Sequence, residues 1–177
     1  MNALQNVAIM AARRGGNVLM RYLNRVDSLA VEKKGHNDFV SEADRAAEAA
    51  VIEVIHKHYP DHAILAEESG THGDSDTVWV IDPLDGTTNF LHGFPQFCVS
   101  IAARVRGRTE AAAVYDPMRQ EIFAAARGDG ATLDDRKIRV SGRRDMEHAL
   151  IGTGFPFRQK DFDMGPYLAM LGKVVRN

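Results

Sequence analysis

The sequence is poor in several things, and each shortage narrows what it can be. It holds one cysteine, Cys98, so no disulfide can form within the chain, and a reducing compartment, the cytoplasm, is the expectation. No apolar run approaches the ~20 residues that cross a bilayer. The N-terminal stretch MNALQNVAIMAARRGG has no basic leader and is broken by Arg13 and Arg14, which argues against a signal peptide and a membrane partner. A net charge of -2 gives no overall pull toward nucleic acid or an anionic surface. Low-complexity tracts and internal repeats are missing too. What remains is 177 residues, 45% hydrophobic and 26% charged, which suits one soluble domain or one domain with part of another.

A further shortage is local. Between Lys57 and Arg104 there is no lysine or arginine, yet Asp61, Glu67, Glu68, Asp74, Asp76, Asp82 and Asp85 all fall there. From Arg104 to Arg144 the balance reverses, with ten basic residues against six acidic. Carboxylates gathered at buried strand ends repel, so one must take up a proton or find a cation. The local sequence has none to give. A basic group could still arrive from a distant part of the chain, so a metal ion is favoured without being required.

Leu4, Val7, Ala8, Ala11, Val18, Leu19 and Tyr22 recur near a period of 3.6 and predict a helix over 3–23, weakened in its middle by Gly15-Gly16. A short strand at 29–32 and a polar turn, KKGHND, should follow. Ser41 with Asp44 three residues on predicts a capping box. The helix it opens should bury Ala47, Val51, Val54 and Ile55 and stop before Pro60. AILA (63–66) and TVWVI (77–81) read as buried strands. FCVSIAARV, TEAAAVYD and QEIFAAAR, joined by RGR and PMR, predict an antiparallel meander. KIRV adds a strand, and an amphipathic helix should run over 166–175. This order predicts an α+β fold with helices on one face of a sheet. The last residues, LGKVVRN, stop in mid-helix, so a longer protein is expected.

The chemistry concentrates in IDPLDGTT. Pro83 has no N–H and a fixed φ, so the chain should leave the strand after Asp82, turn, and bring Asp85 back to the same mouth. The Leu84 carbonyl supplies a third oxygen, and Glu67-Glu68 at the end of AILA a second pair of carboxylates. Such an all-oxygen site suits Mg²⁺. Gly86-Thr87-Thr88-Asn89 reads as the first turn of a helix, whose N–H groups and dipole favour phosphate. Carboxylates for a metal beside an anion-binding helix start are the two halves of a metal-assisted phosphate-ester hydrolase. Taken singly, each piece is ordinary. Asp-Pro-x-Asp-Gly is turn chemistry, Glu67-Glu68 a solvated pair, Asp44 a capping group, and Lys33-Lys34 surface. The arginines of 104–144 read as solvated strand edges, Cys98 as packing, and the histidines are too poorly spaced for zinc. The combination carries the inference.

The blocks DFVSEAD (38–44), EES (67–69) and WVIDPLDGTTNFLHGFP (79–95) together resemble the inositol monophosphatase family of Mg²⁺-dependent, lithium-sensitive phosphatases. AARRGGNVLMRY, YDPMRQEIFAAARGDGA and TGFPFR are most similar to its bacterial SuhB-type branch. The resemblance implies a mostly antiparallel sheet with two long helices on one face, the first half of a layered αβαβα sugar-phosphatase fold. It implies an N-terminal metal- and phosphate-binding domain over 1–147 and the beginning of a second α/β subdomain over 148–177. Family members continue with a WD-x-A-A-G block that this sequence lacks.

The resemblance also implies roles. Glu67, Asp82 and the Leu84 carbonyl would hold one Mg²⁺, and Asp82 with Asp85 would contribute to another, two or three ions in all, with Mn²⁺ as a substitute. Glu67 and Thr87 would position the attacking water, and Asp44 would hydrogen-bond Thr87. Gly86, Thr87 and Thr88 would hold phosphate, and Asp85 would orient the sugar hydroxyl. Glu68 and Lys33 would support the site. Inositol monophosphate is the leading substrate, ahead of other sugar or nucleotide phosphates, and a homodimer is expected. The alternative is a binding factor in ribosomal RNA transcription antitermination or maturation. Its partners would be RNA polymerase and antitermination factors, and its surface the Arg104–Arg144 stretch.

Overall fold

The first helix of the computed structural model follows the apolar period. The structure describes residues 2–26, 31–35, 38–155 and 163–176, with the backbone alone for 31–35 and 38–40. α1 (Ala3–Leu23) starts where the Asn2 side chain accepts the Leu4 N–H at 2.9 Å. It buries Val7, Ala8, Ala11, Ala12, Val18 and Leu19. Gly15 and Gly16 prove to be points of close approach. A Cβ on Gly15 would lie 2.8 Å from Val51 Cγ2, and one on Gly16 2.5 Å from the Tyr115 ring. Their bare backbone lets α1 sit against the helix that carries Val51 and the strand that carries Tyr115. That packing offsets a helix-propensity cost of about 1 kcal/mol per glycine.

β1 (Val31–Gly35) and β2 (Asp38–Ser41) pair as an antiparallel ribbon. This corrects the expected strand at 29–32 and turn at KKGHND: Lys33 and Lys34 lie within a strand, and DFVS is its partner. Residues 29 and 30 and the side chain of Lys33 lie outside the described residues. α2 (Glu42–His58) opens with the expected capping box, the Asp44 carboxylate accepting the Ser41 N–H at 2.8 Å. It ends at Tyr59, just before Pro60. Its inner face buries Ala43, Ala47, Ala50, Val51 and Ile55, and also two carboxylates one turn apart, Asp44 and Glu48.

The main sheet contains β3 (Ala63–Ala66), β4 (Gly70–His72), β5 (Thr77–Asp85), β6 (Cys98–Val105), β7 (Arg108–Asp116), β8 (Glu121–Ala126), β9 (Gly130–Leu133) and β10 (Arg136–Ile138). Their order is β10-β9-β8-β7-β6-β5-β3-β4. Every pair is antiparallel except β3 with β5, which is parallel. This is the α+β, mostly antiparallel fold expected from the sequence, with three unexpected short strands, β2, β4 and β9. Alternate residues of the central strands, among them Val99, Ile101, Ala103, Ala111, Ala113, Ile122 and Ala124, are buried. α1 crosses β6, β7 and β8, α2 lies over β5, and the two helices pack on each other.

At Pro83 the expectation fails. The chain does not leave the strand after Asp82; β5 continues to Asp85. Asp82 pairs with Ser100 and Asp85 with Cys98, so three steps on β5 face two on β6. The extra residue makes a bulge, and a bulge is where a residue without an N–H can sit in a sheet. The Leu84 N–H turns inward instead and donates to Asp82 Oδ1 at 3.2 Å. α3 (Thr87–Leu91) follows immediately, and α4 (Met164–Val175) is capped by Asp163, two residues earlier than expected. No described helix is long and apolar enough to cross a membrane.

Candidate metal and phosphate site

The parallel pairing of β3 with β5 stops where β3 ends, while β5 runs on to Asp85. Ala66 pairs with Ile81, and the Glu67 N–H donates to the Ile81 carbonyl at 3.1 Å. That register fixes Glu67 and Asp82 as neighbours where the pairing stops. Their carboxyl groups lie close enough that Glu67 opposes the ionisation of Asp82. Accordingly Asp82 is pushed up to about 7, first by burial, then by Glu67, then by Asp85. The Leu84 N–H is the one influence that acts in the opposite direction. Among the described residues, no cationic group acts on Asp82 to oppose the rise.

The donor chemistry at this point fits a hard divalent ion. The groups are all oxygen and anionic in excess, and burial beside Glu67 and Asp85 raises one of them, Asp82, toward its neutral form. The assembly is nevertheless looser than expected. Among the described residues, no three His, Cys, Asp or Glu side chains are gathered into a ready metal cluster. Glu67 and Asp82 meet, whereas exposed Asp85 turns to Cys98, whose Sγ lies 3.7 Å from Asp85 Oδ2. The bulge at Pro83 and Leu84 sends Asp85 along the sheet edge. Cys98 is therefore more than packing. Burial, with Asp85 and Asp82, pushes its thiol up to about 12, so it remains a neutral donor to Asp85.

Thr87 is held from two sides. Its hydroxyl lies 3.2 Å from Asp44 Oδ1 and 3.1 Å from the Leu84 carbonyl oxygen. Donating to these acceptors, Thr87 Oγ1 keeps its lone pairs for another donor. Asp44 is itself immobilised, 1% exposed, with Oδ2 accepting the Ser41 N–H and Oγ–H at 2.8 and 2.5 Å. The capping group and the partner of Thr87 are thus one residue.

Gly86 adopts φ 97°, ψ 34° as the N-cap of α3, and a Cβ there would lie 3.0 Å from the Gln96 carbonyl oxygen. Left-handed backbone and a crowded neighbour each require glycine. α1, α2 and α4 are capped by the side chains of Asn2, Ser41 and Asp163, but no side chain caps α3. Its first-turn N–H groups have no partner within the helix. Phe90 anchors the helix beneath, edge-on to Phe97 with ring centroids 5.1 Å apart. Thr88 is exposed and Glu68 half-buried.

Reasoning from sequence missed Glu48. It is 3% exposed, and its two oxygens accept the N–H groups of Glu68 at 2.8 Å and Ser69 at 3.0 Å. The available signal was its place four residues after Asp44 on the apolar stripe of α2, where an acid must find donors. Three arginines of the 104–144 segment are paired with acids. Arg106 pairs with Asp76 at 3.0 Å, Arg119 with Asp116 at 2.6 Å, and Arg127 with Glu110 at 3.1 Å.

These features agree with comparison to known proteins. The sequence profile of the inositol monophosphatase family matches residues 1–163. The Nus factor SuhB of Pasteurella multocida is 50% identical over the whole chain, which spans 67% of that protein. The crystal structure of extragenic suppressor protein SuhB from Bartonella henselae superposes with a TM-score of 0.90. It is 41% identical, and the match covers 99% of this chain and 68% of that one. An inositol monophosphatase from Anabaena superposes at 0.68, also 41% identical, over 81% of this chain and 51% of its own. The chain thus spans about two thirds of the length of its SuhB relatives.

Proposed function

This chain belongs to the inositol monophosphatase family, a family generally dependent on Mg²⁺, and from that premise we propose that it hydrolyses a phosphate monoester, inositol monophosphate foremost. The observation that carries the reading is the register that sets Glu67 beside Asp82, near the Asp44–Thr87 hydrogen bond. Glu67, Asp82, the Leu84 carbonyl and Asp85 would hold Mg²⁺, or Mn²⁺ in its place, as two or three ions. When bound, the ions supply positive charge that activates water and stabilises the charge developing on the ester oxygens.

The chain's own residues do the rest. The Thr87 hydroxyl donates its hydrogen bond to Asp44 and the Leu84 carbonyl, which leaves Thr87 Oγ1 to accept a hydrogen bond from the attacking water. The Glu67 carboxylate accepts that water's other proton and acts as general base. The N–H groups of Gly86, Thr87 and Thr88 hold the phosphate, and Asp85 orients a hydroxyl of the sugar. Glu68 and Lys33 support the site. The reading includes lithium inhibition, a homodimer in the cytoplasm, and the division at residue 147.

The test is a panel of phosphate monoesters assayed with and without Mg²⁺ and Li⁺, on wild type and on Glu67→Gln. Mg²⁺-dependent release of phosphate by wild type and its loss in the variant are expected. Equal activity in both would remove Glu67 from the mechanism.

A second reading rests on the name of the Pasteurella relative, a Nus factor. It has this chain bind RNA polymerase and antitermination factors during ribosomal RNA synthesis. The pairing of Arg106, Arg119 and Arg127 with acids weakens the case for an open basic surface. Salt-dependent RNA binding that persists in Glu67→Gln would separate this role from hydrolysis.

A further inference from the structure

We propose that Glu48 is a positioning residue for the divalent-ion site: it fixes the turn that presents Glu67, and it does so before any ion binds. The proposal rests on the reading of Glu67 as an ion ligand. Glu67 is the last residue that strand pairing can hold. Its N–H is fixed on the Ile81 carbonyl, but beyond it the chain turns away from β5. The next two N–H groups, Glu68 and Ser69, would be left without a strand partner. Glu48 takes both, one on each carboxylate oxygen, at 2.8 and 3.0 Å. Glu67 is thereby gripped on both sides, by β5 through its own N–H and by α2 through its two successors.

The grip needs this side chain. A carboxylate presents acceptors on both oxygens, whereas glutamine presents one acceptor and one N–H₂ donor. Glu48→Gln therefore loses one bond and sets a donor against a donor. Aspartate is shorter by one methylene and would have to draw the turn toward α2. The position on α2 also matters. Asp44, one helical turn earlier, holds Thr87 at 3.2 Å, so one rigid element carries both anchors. Glu67 and Thr87, the two groups assigned to the water, thus keep their spacing through consecutive turns of a single helix. Buried carboxylates spent on backbone N–H groups in this way act on ion affinity through geometry, as outer-shell partners do.

The direct test is amide hydrogen exchange on wild type without divalent ions. Glu68 and Ser69 should already be protected, with little further protection on adding Mg²⁺. If both exchange freely until Mg²⁺ is present, the ion organises the turn and the proposal fails. The second test is Mn²⁺ binding, followed by the signal of the free ion. Glu48→Gln should weaken it about tenfold or more and deprotect the two amides, while the Asp44–Thr87 region stays protected. Val51→Ala, a core truncation on the same helix, is the control for general destabilisation. If it weakens Mn²⁺ binding as much as Glu48→Gln does, Glu48 is a structural residue only. Neither readout uses phosphate release. A wild type that binds Mn²⁺ through this turn yet hydrolyses nothing would overturn the hydrolase reading and leave Glu48 in place.

Discussion

The two ends of the β3–β5 pair carry opposite solutions to the same problem. At the start of the strands, Trp79 is fully buried and its indole N–H donates to His62 Nδ1 at 3.0 Å. His62 in turn stacks on Tyr59 with ring centroids 4.4 Å apart. Donor meets acceptor, no net charge is buried, and the end is complete in itself. At the far end, five residues on from His62 and three on from Trp79, Glu67 stands beside Asp82 and like faces like. Both ends are made by the same strand register, so architecture does not explain the difference; the side chains do. A closed end stabilises the fold, whereas an end where Asp82 is raised by burial and by its acidic neighbours has the character of a functional site.

The largest expected contrast is in activity. Asp82→Asn should lower Mg²⁺-dependent phosphate release by at least about a hundredfold, the scale of losing one electrostatic stabiliser of a transition state. Trp79→Phe should leave it within a fewfold, by steady-state assay. Comparable losses in both would erase the distinction between the ends.

Stability should show the reverse. Trp79→Phe removes a buried hydrogen bond and part of a fully buried ring, and should cost about 1–3 kcal/mol in urea unfolding. Asp82→Asn removes repulsion and should leave the metal-free protein at least as stable as wild type. Gly86→Ala, with φ 97° and the Gln96 carbonyl in the way, should cost about 1–3 kcal/mol and disturb Thr87 as well.

A smaller effect separates the ends by pH. Asp82 binds its proton more tightly folded than unfolded, its value rising from 3.8 to about 7. Its contribution to metal-free stability is therefore full below about pH 4 and is lost as pH rises toward 7. Saturating Mg²⁺ should oppose that loss, because the ion replaces the proton. His62 runs the other way. Burial lowers it from 6.5, with Asp61 partly opposing, so its contribution is present above pH 6.5 and is lost as pH falls. Trp79 is the sole tryptophan, and its fluorescence should report the second change without the first. A signal that follows Asp82 instead would show the ends to be coupled.

The contrast also explains what could be read in advance. Asp82, Asp85, Gly86 and Thr87 stand in one contiguous block, and the acidic bias around them is local, so the open end was legible. The resemblance led from Asp44 to Thr87, although 43 residues separate them, because both lie in family blocks. Glu48 sits between blocks and acts on main-chain N–H groups 20 and 21 residues away, contacts that no side-chain pattern announces. Gly15 and Gly16 looked like weak helix because their value lies in Val51 and Tyr115, both remote in sequence. β4 and β9 are too short for a period, and their pairing exists only once β3 and β8 are in place. The bulge at Pro83 was misread as an exit because proline's missing N–H is compatible with either.

The central claim is that a divalent ion replaces the proton that Asp82 takes up beside Glu67. The measurement is Mn²⁺ titration calorimetry at pH 6 in two buffers of different ionisation enthalpy, on wild type and Asp82→Asn. Saturable binding that releases about one proton per chain in wild type, and a much weaker interaction without that release in Asp82→Asn, is the predicted result. Mn²⁺ binding of equal strength in both proteins, or none in wild type, would contradict it.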